Sequence, residues 1–393
     1  MEEKISIENN EEIKVINSWD EYNLKDDLLR GVYSYGFENP SQIQKTGILP
    51  ILEKRDVIAQ APSGTGKTGT FSIACLERVD VTEHKTQVLI LAPTHELVKQ
   101  ISKVVTLIGC HIEGLKIKTL IGGTSVTEDS MELRSNVPHI IIGSVGRVGD
   151  MIRRKNIKTN DIKLFILDEA DEMLSGGFLE NIHQMFISFN KDIQVAIFSA
   201  TLPPEIIELS NKFMRNPVSL TIEAEKLNLE GIQQYYIAIE NDQQKYDTIK
   251  DLFGKFALNQ TIIYVNSVNR VIDLHQAMIK DDCACCCIHS SMTSAERDAT
   301  LTDFRKGIHR VLISSNVTAR GIDVQTVSIV INFDIPKCVH NYLHRIGRSG
   351  RWGRKGVAIN LITRDDIGQL KRIEKHYGST IDELSNGFEN GLG

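Results

Sequence analysis

Short, mostly apolar runs rich in β-branched residues alternate with longer, polar-faced stretches along nearly the whole chain. In the first half the runs are Asp56 to Ala59, Val88 to Leu91, His139 to Ile142, Leu164 to Leu167 and Val195 to Phe198. A run with no polar alternation suits a strand covered on both faces, so this half predicts a parallel sheet with helical crossovers. The pattern restarts after Pro217 with Ile262 to Val265, Cys285 to Ile288, Val311 to Ile313, Val327 to Ile331 and Val357 to Leu361. Between the two sets, Val218 to Gly231 is polar and charged without a clear period, which marks a linker. The expected organisation is a disordered acidic tail over 1–17, a first domain over 18–217, a linker over 218–231 and a second domain over 232–393. No short repeat or low-complexity tract interrupts it.

Length agrees with two domains, since 393 residues exceed what one core comfortably serves. Hydrophobic content of 41% and charged content of 24% are ordinary for a globular chain, and no apolar run of about 18 residues is present to span a membrane. The opening MEEKISIENNEEIK fits neither a secretory signal nor a transit peptide. A net charge of −6 argues against a protein that coats nucleic acid through bulk positive charge. Any nucleic-acid site must be a local groove of backbone amides and a few placed arginines. Of seven cysteines, four crowd into Cys283, Cys285, Cys286 and Cys287. A zinc site would need a second pair at suitable spacing, and none is there. The segment reads instead as a buried strand of small apolar residues. Free thiols imply a reducing compartment, the cytoplasm or, alternatively, the nucleus.

The strongest chemical signal is APSGTGKT, Ala61 to Thr68, set between a strand-like run and the helix-like Phe71 to Val79. It reads as a phosphate-binding loop in which Ala61 replaces the usual first glycine. Ser63, Gly64, Thr65 and Gly66 would cradle phosphates with backbone amides at the positive end of the next helix. Lys67 would reach the β- and γ-phosphates and Thr68 would hold Mg²⁺. The complementary acidic strand end is KLFILDEAD, where Asp168 follows a buried run and can hold Mg²⁺ through water. Glu169 is placed to polarise an attacking water. Two adjacent acids alone are more often a solvated loop; pairing with the phosphate loop reverses that reading.

Together these motifs resemble the DEAD-box RNA helicases, from about Trp19 to the C-terminus. The likeness is strongest to the translation initiation factor 4A group, and includes LNLEGIQQYY after the linker. The resemblance implies two RecA-like α/β domains, each a mainly parallel sheet flanked by helices. In GFENPSQIQ it implies that Phe37 stacks on adenine and Gln44 bonds the base edge. In PTHEL, the glycine pair and SVGR, it implies RNA contact by Pro93, Thr94, Gly122, Gly123 and Arg147. In SAT it implies that Ser199 and Thr201 bond the acidic motif, including Asp171, and report on closure. In the second half, Gly321 and Asp323 of ARGID would meet the nucleotide ribose, and His344 would take part in coupling. Arg348 and Arg351 of HRIGRSGR would be arginine fingers. Spacing by three would let Arg345, Arg348 and Arg351 point together on one helix face. Asn266, Arg297 and Ser315 would hold RNA.

The resemblance implies an RNA-stimulated ATPase that uses ATP and Mg²⁺ to open short RNA duplexes or remodel RNA–protein complexes. A role in translation initiation rests on the resemblance alone. The partners so implied are single-stranded RNA, short duplexes and protein activators such as a translation-initiation scaffold, with the chain acting as a monomer and without a membrane. Several positions depart from the family: His95 for arginine, Val145 for proline, Ser290 and Ser291 for glycine-aspartate, Ser294 for glutamine, and Asn316 for aspartate. They motivate a second reading, an ATP-gated RNA clamp with little turnover. A DNA helicase is a third, disfavoured because no strand-separating insertion is evident.

Overall fold

Strands apolar on both faces need a helical layer on each side, and the first compact unit, residues 1–224, meets that need. The computed structural model describes residues 5–8, 14–61, 64–222, 232–255, 260–315, 327–349 and 356–384. In chain order the first unit's strands are β1 (Ile5–Glu8), β2 (Val57–Gln60), β3 (Val88–Ala92) and β4 (Ile117–Leu120). They continue with β5 (Ile140–Ser144), β6 (Leu164–Asp168), β7 (Gln194–Ser199) and β8 (Val218–Ile222). Among the described residues they lie in the order β1-β8-β2-β7-β6-β3-β5-β4. All neighbours pair in parallel except β1 on β8. Side chains alternate between two cores. Ile90 and Ile142 pack under the helices Gln42–Leu52, Lys67–Arg78 and His95–Ile108, while Leu89, Leu91 and Ile141 pack under Val145–Arg153, Leu179–Ser188 and Pro204–Phe213.

Two expected boundaries are corrected. Val218 to Ile222 is not linker but β8, parallel to β2, with Val218, Leu220 and Ile222 buried and the polar residues between them partly exposed. That period of two is a strand signal which the polar positions masked. The tail is not wholly disordered, because Ile5 to Glu8 adds an antiparallel strand to the open edge of β8. Ile16, also in that tail, is buried and its amide donates to Lys45 O at 3.0 Å. Residues 223–231 of the expected linker lie outside the described residues.

The second unit, residues 225–393, repeats the layering. Its strands are β9 (Ile232–Ala238), β10 (Thr261–Tyr264), β11 (Cys285–Ile288), β12 (Val311–Ser314), β13 (Ile329–Asn332), β14 (Gly356–Ile362) and β15 (Asp382–Glu383). Among the described residues their order is β11-β12-β10-β13-β14-β9-β15, parallel throughout. The cysteine-rich segment forms the edge strand β11, and burial pushes the Cys285 and Cys286 thiols up to about 12. Thiols held that high stay protonated at neutral pH. In a parallel sheet, ligands meet the loops at the carboxyl ends of the strands, where the sequence motifs of both halves fall.

Candidate functional site

The phosphate loop turns from β2 into the helix Lys67–Arg78, which begins earlier than the apolar pattern alone indicates. Gly64 and Gly66 take positive φ angles of 89° and 104°, a region that disfavours side chains, and Gly66 caps the helix in that conformation. Lys67 is buried and its ammonium donates to the Ala61 carbonyl, so the loop folds its cation inward across its own mouth. Pro62 and Ser63 lie outside the described residues.

The segment around Phe37 and Gln44 packs onto this loop. Ser41 Oγ donates to Thr65 O at 2.8 Å, and Ser41 N–H donates to Gln44 Oε1 at 2.7 Å in a capping box. Gln44 Nε2 reaches Gly66 O at 3.5 Å. The amide expected to read a base edge is thus also a strap between its helix and the phosphate loop. Phe37 is half-buried, stacked on the buried Trp19 with centroids 6.1 Å apart and edge-on to Tyr35 at 4.8 Å. Its ring is oriented by neighbours, as a stacking platform must be.

Asp168 ends β6, and its carboxylate is buried. Burial pushes that carboxyl up to about 7, Lys67 works in the opposite direction, and Glu169 and Asp171 add to the rise. Glu169 follows in a left-handed backbone, φ 52° and ψ 50°, a conformation that costs a non-glycine residue about 1–3 kcal/mol. Asp171 N–H donates to Ser199 Oγ at 3.3 Å, and Thr201 Oγ1 donates to Asp171 Oδ2 at 2.9 Å. The acidic turn after β6 is therefore tied to the end of β7. A cluster of buried carboxylates beside a hydroxyl-bearing phosphate loop is the hard-oxygen donor set that suits Mg²⁺.

On the same strand ends a groove of about 360 Å³ is lined by Pro93, His95, Gly122, Ser144, Arg147 and Phe178, among others. His95 packs so close to Gly122 that a Cβ there would stand 3.2 Å from its Nε2. Gly123 has φ 85°. Thr94 caps the helix His95–Ile108 by accepting from Leu97 N–H at 3.2 Å. Arg147 lines the groove but spends its guanidinium internally. It is salt-bridged to buried Asp129 and donates to Thr124 Oγ1 and Thr124 O, both at 2.8 Å. Its evident work is shaping the glycine turn, with Asp129 as a partner that sequence reasoning missed. A buried aspartate four residues past the helix cap Ser125 was the available signal.

Residues 41–209 match the DEAD/DEAH box helicase family, and residues 244–353 match the helicase conserved C-terminal domain. Eukaryotic initiation factor 4A of Caenorhabditis elegans is 47% identical over 371 residues, covering 94% of this chain and 92% of its own. The chain belongs to the DEAD-box helicases. ATP-dependent RNA helicase fal1 of Schizosaccharomyces pombe is 47% identical over 382 residues, covering 97% of this chain and 96% of its own. A solved structure of Saccharomyces cerevisiae Dbp5 bound to RNA and ADP BeF3 has a TM-score of 0.87 and 32% identity, with coverage of 96% and 99%.

In the second unit of this DEAD-box protein, two of the three spaced arginines, Arg345 and Arg348, do not point together. The helix Val339–Ile346 ends at Gly347. Arg345, before that break, turns into the core, where it is fully buried above the Tyr264 ring at 5.2 Å. Arg348, after it, lies along the helix end and donates Nε to His344 O at 3.1 Å. The chain leaves helical geometry between them, so spacing by three no longer sets a common face. Asn266, expected on RNA, directs its side chain to Arg345 and to Ile335 O. Arg297 is half-buried on the helix Ser294–Arg305, and Ser315 is buried just past β12. Asn316, Gly321, Asp323 and Arg351 lie outside the described residues, as does the side chain of Ser294.

Proposed function

We propose that this DEAD-box protein is an ATP-dependent RNA helicase of the initiation factor 4A kind: an RNA-stimulated ATPase that opens short duplexes or remodels RNA–protein complexes. The observation that carries this reading is one edge of one sheet. There the phosphate loop with Lys67, the buried Asp168 and Glu169, and the groove between Pro93 and Arg147 all lie at strand ends. Phe37 and Gln44 would select adenine. Lys67 would bind the outer phosphates, and Glu169 would take a proton from water attacking the γ-phosphate. Thr68 and Asp168 would hold Mg²⁺, which when bound neutralises charge building on the phosphate oxygens. Arg348 and Arg351 would supply positive charge from the second unit, a contribution worth about 10³–10⁵-fold in comparable phosphoryl transfers.

RNA would be held mainly by its backbone, so sequence preference should be weak and 2′-hydroxyls should separate RNA from DNA. The strand would be bent on binding, which a paired helix cannot follow. With about 1.4 kcal/mol per stacked step, by analogy with DNA, one closure frees only a few pairs. A monomer acting in the cytoplasm with a translation-initiation scaffold as activator is the biological setting we favour, on the strength of the initiation factor relatives.

The internal pairing of Arg147 and the histidine at position 95 favour a second reading, a clamp that binds RNA under ATP with little turnover. ATPase rates measured alone, with RNA and with DNA of the same sequence decide between them. Strong stimulation by RNA only is expected. A rate indifferent to RNA supports the clamp, and equal stimulation by DNA overturns the RNA reading.

A further inference from the structure

A line of buried side-chain hydrogen bonds crosses the second unit's sheet. Tyr342 OH donates to Gln234 Oε1 at 3.0 Å, and Asn360 Nδ2 donates to Tyr342 OH at 3.2 Å and Tyr235 O at 2.9 Å. Asn332 Nδ2 donates to Asn360 Oδ1 at 2.9 Å, the two being directly paired across β13 and β14. Arg345 then donates to Asn332 Oδ1 at 3.2 Å and Asp334 O at 2.7 Å, and through its other nitrogen to Asn266 Oδ1 at 2.7 Å. Asn266 N–H donates to Asp334 Oδ2 at 2.9 Å, and that carboxylate also takes Arg270.

This line has a cost unless it is used. Arg345, Asn332 and Asn360 are fully buried, and a buried polar group removed from water stabilises nothing unless every partner is in place. An apolar helix would have packed against β13 without it. What the network adds is direction. Arg345 fixes the last turn of the helix Val339–Ile346, together with the buried Ile346, before the chain breaks at Gly347, and Arg348 follows in that turn. Its amide donates to Arg345 O at 3.2 Å and its side chain to His344 O. At the other end Asn266 sits exposed at the start of the loop after β10, two residues before the helix Val268–Lys280.

We propose that Asn266 and Arg345 are positioning residues that transmit RNA engagement at the β10 loop to Arg348, through their mutual hydrogen bond and the Asn332 anchor. The inference rests on the helicase reading, in which Arg348 acts on ATP. It differs from the family expectation by making Asn266 a strut instead of an RNA ligand. A hydrogen bond to a charged group is worth about tenfold or more in an equilibrium, so each member should matter measurably.

The test uses the full chain, with a poly(U) oligonucleotide as the RNA probe. Asn266→Ala should lower kcat at saturating RNA by about tenfold, with RNA affinity in a non-hydrolysable ATP analogue and KM for ATP each within about twofold. Arg345→Lys should do the same, and the double variant should be no worse than either single one. Asn332→Ala, which is too buried to touch RNA, should share the kcat loss with an unchanged KM. Loss of RNA affinity in Asn266→Ala with kcat intact would overturn the proposal, as would additive losses in the double variant. If Asn332→Ala fails to fold, the Asn266 and Arg345 pair decides alone. A wild-type ATPase indifferent to RNA would instead sink the helicase reading itself, and this inference with it.

Discussion

Thr201 Oγ1 donates to the Asp171 carboxylate across the mouth of the first sheet, joining the acidic turn after β6 to the strand end after β7 at 2.9 Å. Asp171 is buried, so this hydroxyl helps to offset its desolvation. Thr201→Val keeps the shape and removes the donor. The first unit should lose about 1–3 kcal/mol in urea unfolding, and Thr201→Ser should recover most of it. A valine variant as stable as wild type would show that the bond contributes nothing.

Gly69 has no room for a side chain. A Cβ there would stand 2.5 Å from Gln44 Nε2 and 3.0 Å from the Phe37 ring. Gly69→Ala should displace both groups proposed to hold adenine while leaving Lys67, Asp168 and Glu169 in place. KM for ATP should rise by about tenfold, with kcat much less affected, since uniform binding is what is lost. Preference for ATP over GTP should narrow as well. An unchanged KM would show that the Phe37 and Gln44 contacts do not bind the base.

Fully apolar runs such as Val88 to Ala92 made the central strands legible, because two-sided burial leaves no polar position to confuse the period. The strands at this end of the sheet were harder to see: β8 leaves its alternate polar residues partly exposed, and its sequence read as linker, as that of β1 read as tail. Motif positions were legible in the phosphate loop because chemistry fixes both residue type and spacing there. What spacing could not show was how a guanidinium is spent. Arg147, Arg345 and Asn266 all pair within their own unit, and those partners (Asp129, Asn332, Asp334) are distant in sequence. The asparagines ending β13 and interrupting β14 were the visible clue, since polar residues in otherwise apolar strands need partners.

Glu169 holds its unfavourable backbone at the end of β6, with its carboxylate as the proposed base. Glu169→Gln preserves size and hydrogen-bonding capacity but cannot take a proton. ATP-dependent RNA binding should persist while turnover falls by about 10²–10⁴-fold, the usual worth of a positioned base. Fluorescence anisotropy with labelled RNA and a phosphate-release assay read the two quantities separately. Loss of ATP binding in this variant would contradict the assigned role.

Arg348 follows the break at Gly347 and donates Nε to the His344 carbonyl at 3.1 Å. Arg348→Ala should lower RNA-stimulated kcat by about 10³-fold or more, with a much smaller change in ATP affinity. Equal losses in both quantities would argue against a transition-state role. A kcat near wild type would remove it from the mechanism altogether.

His139 gives the first unit a pH dependence of its own. It is fully buried between Lys116 and β5, and its Nδ1 accepts Lys116 N–H at 3.0 Å, which puts the ring proton on Nε2. Burial, followed by the nearby Lys116 charge, holds its pKa below the ordinary 6.5. The unfolded chain therefore takes up a proton at a higher pH than the folded one does. Stability from this group is complete above 6.5 and is lost as pH falls toward the folded value, at a slope of up to about 1.4 kcal/mol per pH unit. His139→Asn can still accept the Lys116 hydrogen bond but does not titrate. Urea midpoints at pH 7.5 and 5.5 should therefore differ more for wild type than for the asparagine variant. Identical shifts in the two proteins would assign the acid sensitivity to other groups.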